Sequence, residues 1–315
     1  EEMADGKWTV RVFVPVAQIG ETKYESLQAA LDAAKGETDI VIDLLADATL
    51  DITAWDTLAI GGETTETITI NGNGNKLTFN QLNSDWNNVS TNNNAKLILN
   101  DMTIANSGHN NGPWNRYDIN FGCDVEMNNV TSEKALAFKA GAVLNDVTIN
   151  ESGDNYAIWI QANGQTVSID GLNVASAGRG IKIDEQYVDA AKVDLTVKNA
   201  TFDTQKKGAI MVKSAAGADI ALENVDISNA AADTVNAVWN DEDAAAYFGK
   251  VSVTGGTLVQ EGDFVATLSD ADDKVQGYYK TLQAALDACT EGENTVTMLA
   301  DLDEDVTIKQ VVGVN

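Results

Sequence analysis

Between residues 67 and 259 the chain alternates apolar and polar positions in short runs, each broken at Asn, Asp or Gly. The runs are "LILNDMTI" from Leu97, "VEMNNVTS" from Val125, "VLNDVTI" from Val143, "VSIDGLNV" from Val167, "LTVKNATF" from Leu195, "IALENVDI" from Ile220 and "VSVTGGTL" from Val251. A period of two is the mark of a strand with one face buried. The second break residue of each run is Asp101, Asn129, Asp146, Gly171, Asn199, Asn224 or Gly255, residue types that tolerate a left-handed backbone. Their spacings are 28, 17, 25, 28, 25 and 31 residues. A second short strand follows each turn at a variable distance: "DINF" at Asp118, "ALAF" at Ala135, "AIWI" at Ala157, "GIKI" at Gly180, "AIMV" at Ala209 and "AVW" at Ala237.

Repeats of this length, built from strands too short to bury an apolar face alone, predict a stacked solenoid. The repeats contain no helical pattern, and the chain has only two prolines. A leucine-rich repeat would need a regular Leu/Asn consensus, and a sandwich would need two-residue hairpin turns, neither of which is present. The expected fold is therefore all-β: a right-handed parallel β-helix of about eight coils with strands about 4.8 Å apart.

A second pattern flanks the first. "YESLQAALDAAKGETDIVIDLLAD", Tyr24 to Asp47, returns as "YKTLQAALDACTEGENTVTMLAD", Tyr279 to Asp301. Leu27, Ala30, Leu31 and Ala34 fall on one helical face, Ser26 is placed to cap the helix, and Gly36 to end it. An amphipathic helix over 26–35 that leads into an apolar strand suits a lid on the open end of a solenoid. The expected organisation is a strand segment over 1–20, a β-helix module over 21–262, and a region over 263–315 containing a linker and a second entry motif with its helix over 281–289. That last region reads either as the start of a following module or as a terminal cap.

These residues resemble a known group. "SLQAALDAA" before a first strand is similar to the opening of the pectin-lyase-like right-handed β-helix proteins. "AQIGETKYESLQAALDAA" followed by "TITINGNGNKLTF" resembles the β-helix modules of large secreted surface proteins of Gram-positive gut bacteria. The resemblance covers Val16 to about Val259 and implies the fold. It leaves activity open, because the superfamily includes lyases, hydrolases, adhesins and phage fibres.

Charge narrows the partners. With 48 Asp plus Glu against 20 Lys plus Arg, the formal net charge is -28, which repels nucleic acid and anionic membrane surfaces. Such acidity suits a secreted or halophilic protein, and the lysine-dominated basic set, with arginine only at Arg11, Arg116 and Arg179, favours the secreted, cell-surface reading. Cys123 and Cys289, far apart and in dissimilar contexts, read as two buried free thiols rather than as a disulfide or metal framework. No apolar run is long enough to span a bilayer.

For catalysis the resemblance implies, in lyases, acidic calcium ligands and a basic residue that takes a proton, and in hydrolases paired aspartates with a basic element. The nearest match is "GRGIKID", with Arg179, Lys182, Asp184 and Glu185, but it carries an extra glycine and lacks a paired "DD". His109 sits in the polar loop "NSGHNNGPW" and reads as a solvated loop residue. "SDADDKVQG" and "DLDEDV" offer carboxylates that could hold calcium, without the spacing of a known cage; no other cofactor is expected. The sequons at Asn88, Asn129, Asn150 and Asn199 follow from turn composition.

Alternation also predicts a binding column. If Ile158 and Ile160 point inward, Trp159 points outward, followed on later coils by Lys182, Met211 and Trp239. Arg179, Lys206, Lys207 and Lys213 surround it, and tryptophan faces among basic residues suit acidic or sulfated sugars. The opposing expectation is that loops such as "DNYA" cover the tryptophans and that the lysines offset local acid. Together these features favour a non-catalytic surface module for adhesion or glycan binding, with a host or dietary glycan or another surface protein as partner. A polysaccharide lyase or glycoside hydrolase is the alternative.

Overall fold

The structure, a computed structural model, describes residues 2–4, 7–9, 12–52, 57–81, 88–108, 119–150, 156–175, 179–185, 189–203, 210–214, 216–226, 251–254, 265–269, 271, 275–279, 281–289, 292, 294–303 and 305–308. It is an all-β parallel solenoid of right-handed type with few helices, of about five turns rather than the eight counted from turn motifs. The "AVW" strand at Ala237 lies outside the described residues. By internal packing the chain divides into two units, Glu1–Ser152 with Thr166–Leu172, and Gly153–Gln165 with Asn173–Asn315.

In the first unit the strands Asp39–Leu44, Thr67–Asn71, Lys96–Gly108, Val125–Ser132 and Ala142–Ile149 pair in parallel, each with the next. Their register stacks like on like. Ile40, Ile68, Leu97, Val125 and Ala142 form one buried file, and Ile42, Ile70, Leu99, Met127 and Leu144 another. Each coil thus hides the apolar face its neighbour would otherwise expose. A second parallel sheet contains Thr57–Ile60, Asn88–Thr91, Ile119–Phe121 and Leu136–Phe138. Phe121 and Phe138, opposite each other in register, stack with ring centroids 5.9 Å apart. A third face pairs Ala48–Ile52 with Lys76–Gln81, and the latter with the second half of Lys96–Gly108.

In the second unit Ile158–Gln161, Ile181–Asp184 and Ile210–Lys213 pair in parallel. So do Val193–Phe202, Ala218–Asp226 and Val251–Thr254. Ile158, Ile181 and Ile210 make one buried file, and Ile160, Ile183 and Val212 the next.

The turns follow the expected chemistry. Asp101, Asn129, Asp146, Asn199 and Asn224 have φ between 50° and 55°, and Gly171 has φ 79°, so each long strand turns a corner at the predicted residue. Gly255 lies outside the described residues. In the first unit, side chains one position earlier join the coils. Asn71 donates to Asp43 at 2.9 Å, Asn100 to Asn71 at 3.0 Å, Asn128 to Asn100 at 2.8 Å and Asn145 to Asn128 at 2.7 Å. This ladder starts on a carboxylate that can only accept, so every amide points the same way.

Helix α1 spans Leu27–Ala33, with the Ser26 hydroxyl accepting from the Ala29 N–H at 3.1 Å. It buries Leu27, Ala30 and Leu31. It stops at an Ala34 cap, two residues before the expected Gly36, with the Ala34 N–H donating to the carbonyls of Ala30 and Leu31. Helix α2 spans Leu282–Asp287 behind the matching cap Thr281, shorter than the expected 281–289. Both cysteines are free, but only Cys123 is buried, whereas Cys289 is half-buried. No helix among the described residues is long and apolar enough to cross a membrane.

Candidate functional site

The strand "IWIQ", Ile158–Gln161, and its parallel neighbours bring the predicted column together. Trp159 lies opposite Lys182, and Lys182 opposite Met211. One step along, Gln161 lies opposite Asp184, and Asp184 opposite Lys213. Because side chains two apart share a face, Lys182 and Asp184 sit side by side, with Nζ 2.5 Å from Oδ2.

The surroundings of this pair decide what it can do. Lys182 Nζ also lies 5.4 Å from the Trp159 ring centroid and 5.7 Å from that of Tyr156. The two rings pack at 5.7 Å and tilt by 50°. The ammonium is therefore held by a carboxylate and two aromatic faces. Asp184 is 6% exposed, and its neutralisation by Lys182 offsets the cost of burying it. The side chain of Gln161 is buried as well, and its Oε1 accepts no hydrogen bond from the described residues.

The expected outward-facing Trp159 is corrected in one respect. It keeps its place in the column but is only 1% exposed, with Tyr156, from the "DNYA" loop, packed against it. Met211 is buried too. Neither side chain is a stacking platform open to a sugar ring in this conformation. Arg179 is half-buried and precedes the strand, its carbonyl accepting from the Ala157 N–H at 3.0 Å. Glu185 is half-buried just past the strand, its N–H donating to the Lys213 carbonyl at 3.2 Å. Trp239, Lys206, Lys207 and His109 lie outside the described residues.

Of the four residues proposed for catalysis, the structure thus joins two, Lys182 and Asp184, as a closed ion pair. Other lysines of this unit are also matched with acid across adjacent coils, Lys192 with Asp219 at 2.5 Å and Lys198 with Glu223 at 3.0 Å. Among the described residues no group of three His, Cys, Asp or Glu side chains is placed to hold a metal ion. The sequence reading missed Gln161, which its place two residues after Trp159 on the same face could have signalled; Tyr156 belongs to the "DNYA" loop that the opposing expectation placed over the tryptophans, and it packs there on Trp159.

No family model, curated protein or solved structure matches the chain.

Proposed function

We propose that the chain is a non-catalytic β-solenoid module of a secreted, multi-module bacterial surface protein, built on the pectin-lyase-like plan and serving adhesion or glycan binding. The observation that carries this reading is the closed Lys182–Asp184 pair. The buried carboxylate of the candidate catalytic set is committed to Lys182 at 2.5 Å, and the same ammonium is held against Tyr156 and Trp159. Hydrolysis requires two carboxylates spaced about 5–10 Å apart around a bond, and β-elimination a base that reaches substrate. A lysine locked between a carboxylate and two rings serves neither purpose. The files of aliphatic residues and the asparagine ladder support a module whose task is rigid display.

Within this reading, the glycan-binding candidates are Arg179 and Lys182 at the column, with Lys207 and Trp239 kept as candidates from the sequence alone. A screen of acidic, sulfated and neutral glycans at low and physiological salt, with reducing-sugar and unsaturated-product assays on each hit, tests the proposal. Salt-sensitive binding without product is the expected result for an adhesin. Turnover lost in Lys182→Met or Asp184→Asn would overturn the proposal in favour of a lyase or hydrolase.

A further inference from the structure

The two copies of the entry motif fold alike but are covered differently. In the first, Ala17–Ile19 pairs antiparallel with both Thr22–Tyr24 and Asp39–Leu44. In the second, Ala266–Ser269 pairs antiparallel with both Val275–Tyr279 and Thr295–Met298. Individual bonds repeat as well. The Val16 N–H donates to Tyr24 O at 2.8 Å and that of Val265 to Tyr279 O at 2.9 Å, while Leu45 to Val16 and Leu299 to Val265 are both 2.8 Å. Gln28 donates to Asp32, and Gln283 to Asp287, each at 3.1 Å.

The difference lies at the outer edge. Asp39–Leu44 gives its other edge to Thr67–Asn71, in register from Asp39 opposite Thr67 to Asp43 opposite Asn71. Thr295–Met298 has no strand on its other edge among the described residues. The side chains record the consequence. Leu44 is 1% exposed whereas its counterpart Met298 is 60% exposed, and Ile42 is buried whereas its counterpart Val296 is half-buried. On the helices, Leu27 and Leu31 are buried, while Leu282 and Leu286 are only half-buried. An edge with unpaired backbone groups beside uncovered apolar side chains is a template for one more strand.

We propose that the outer edge of Thr295–Met298, with Val296, Met298, Leu282 and Leu286, is a docking surface for the first parallel coil of another solenoid module. The first copy shows what such an occupant must be: a strand alternating Thr and Ile, as Thr67–Asn71 does, with an apolar residue opposite each inward position and a polar turn after it. A second copy of this chain is a poor occupant, because its own Thr67–Asn71 strand already lies between Asp39–Leu44 and Lys96–Gly108. The surface is independent of the Lys182–Asp184 site and of whether the module binds glycans.

The chain itself supplies the probe. Leu45 and Gly61 are separated by the same 16 positions as Leu299 and Asn315, so residues 62–107 appended after Asn315 carry the coil at its natural spacing. Hydrogen exchange is then compared in the 315-residue chain and the extended chain. The expected result is that amides of Thr295–Met298 exchange at least about 100-fold more slowly in the extended chain, and that Ile68→Asp with Ile70→Asp in the appended copy removes the effect. Equal exchange in both chains, with the appended coil protected at its own amides, would overturn the proposal. So would concentration-dependent protection of the unextended chain with dimer formation in sedimentation, since a second copy would then be the occupant.

Discussion

Replacing Asn128 by Asp changes one atom type in the middle of the ladder and reverses its hydrogen-bond logic. The Asn128 amide donates to Asn100 Oδ1 at 2.8 Å and to Glu126 Oε1 at 3.0 Å, while its Oδ1 accepts from Asn145 at 2.7 Å. A carboxylate keeps the accepted bond and loses both donated ones. A neutral bond contributes about 1 kcal/mol and one to a charged group about 1.5–3 kcal/mol, which places the loss near 2.5–4 kcal/mol at this half-buried position. Repulsion from Glu126 adds to it. Asn145→Asp removes the donated bond to Asn128 and should cost about 1 kcal/mol. Urea unfolding followed by far-UV circular dichroism, with hydrogen exchange at Val130 and Thr131 as the local readout, measures both. The penalty of Asn128→Asp should shrink at acid pH, where the introduced carboxyl regains a proton to donate. In the native chain Lys96 first and Asn128 second hold the Glu126 carboxyl below the usual carboxylate range, so Asn128→Ala should move its titration upward. Loss of less than about 0.5 kcal/mol in Asn128→Asp, or equal losses in the two Asp variants, would refute the ladder as a source of stability.

Three further outcomes follow from the geometry. Gly171→Ala places a Cβ 2.5 Å from Asp146 Oδ1 at φ 79° and should cost at least about 1–2 kcal/mol, read as a lower melting temperature, whereas Asn129→Gly, which eases the left-handed backbone but gives up the exposed bond from the Asn129 amide to Asp101, should cost less. Lys182→Met removes the ammonium 2.5 Å from the buried Asp184 carboxylate and should cost up to about 3–5 kcal/mol, while adding Asp184→Leu should recover most of that loss, as a double-mutant cycle in urea would show. Burial pushes the Cys123 thiol up to about 11, from an ordinary value of 9.0, so folding favours its protonated form. That contribution is intact below pH 9 and is lost as pH rises toward 11, by about 2–3 kcal/mol at most, and Cys123→Ala should remove this part of the alkaline decline. At pH 8 a thiol reagent should label Cys289 well before Cys123.

Much of the fold is legible because a solenoid repeats its physics locally. The left-handed turns at Asp101, Asn129, Asp146, Gly171, Asn199 and Asn224 are written in residue type alone, and the inward files in a period of two. The asparagine ladder is harder to see, although Asn100, Asn128 and Asn145 each directly precede a turn residue. A ladder rung depends on register between coils 17 to 29 residues apart, and alternation within one strand does not encode that register.

The candidate site divides along the same line. Stacking places Trp159 beside Lys182 and Lys182 beside Met211 once the inward residues are known, so the column can be read in advance. Its closure follows the opposing expectation, that the "DNYA" loop covers the tryptophan, although the strand period alone does not fix it: Tyr156 packs on Trp159 ring against ring. In a stacked fold, register makes columns of like chemistry at almost every position, whether they serve stability or recognition. What separates the two is coverage by loops, whose lengths vary between coils and obey no period. The Lys182 variants therefore probe more than one ion pair. If losing the charge mainly destabilises the unit and the apolar pair restores it, the column is a structural element enclosed by its loops. If stability barely changes and acidic glycan binding is lost, those loops must open, and the same residues constitute a recognition surface.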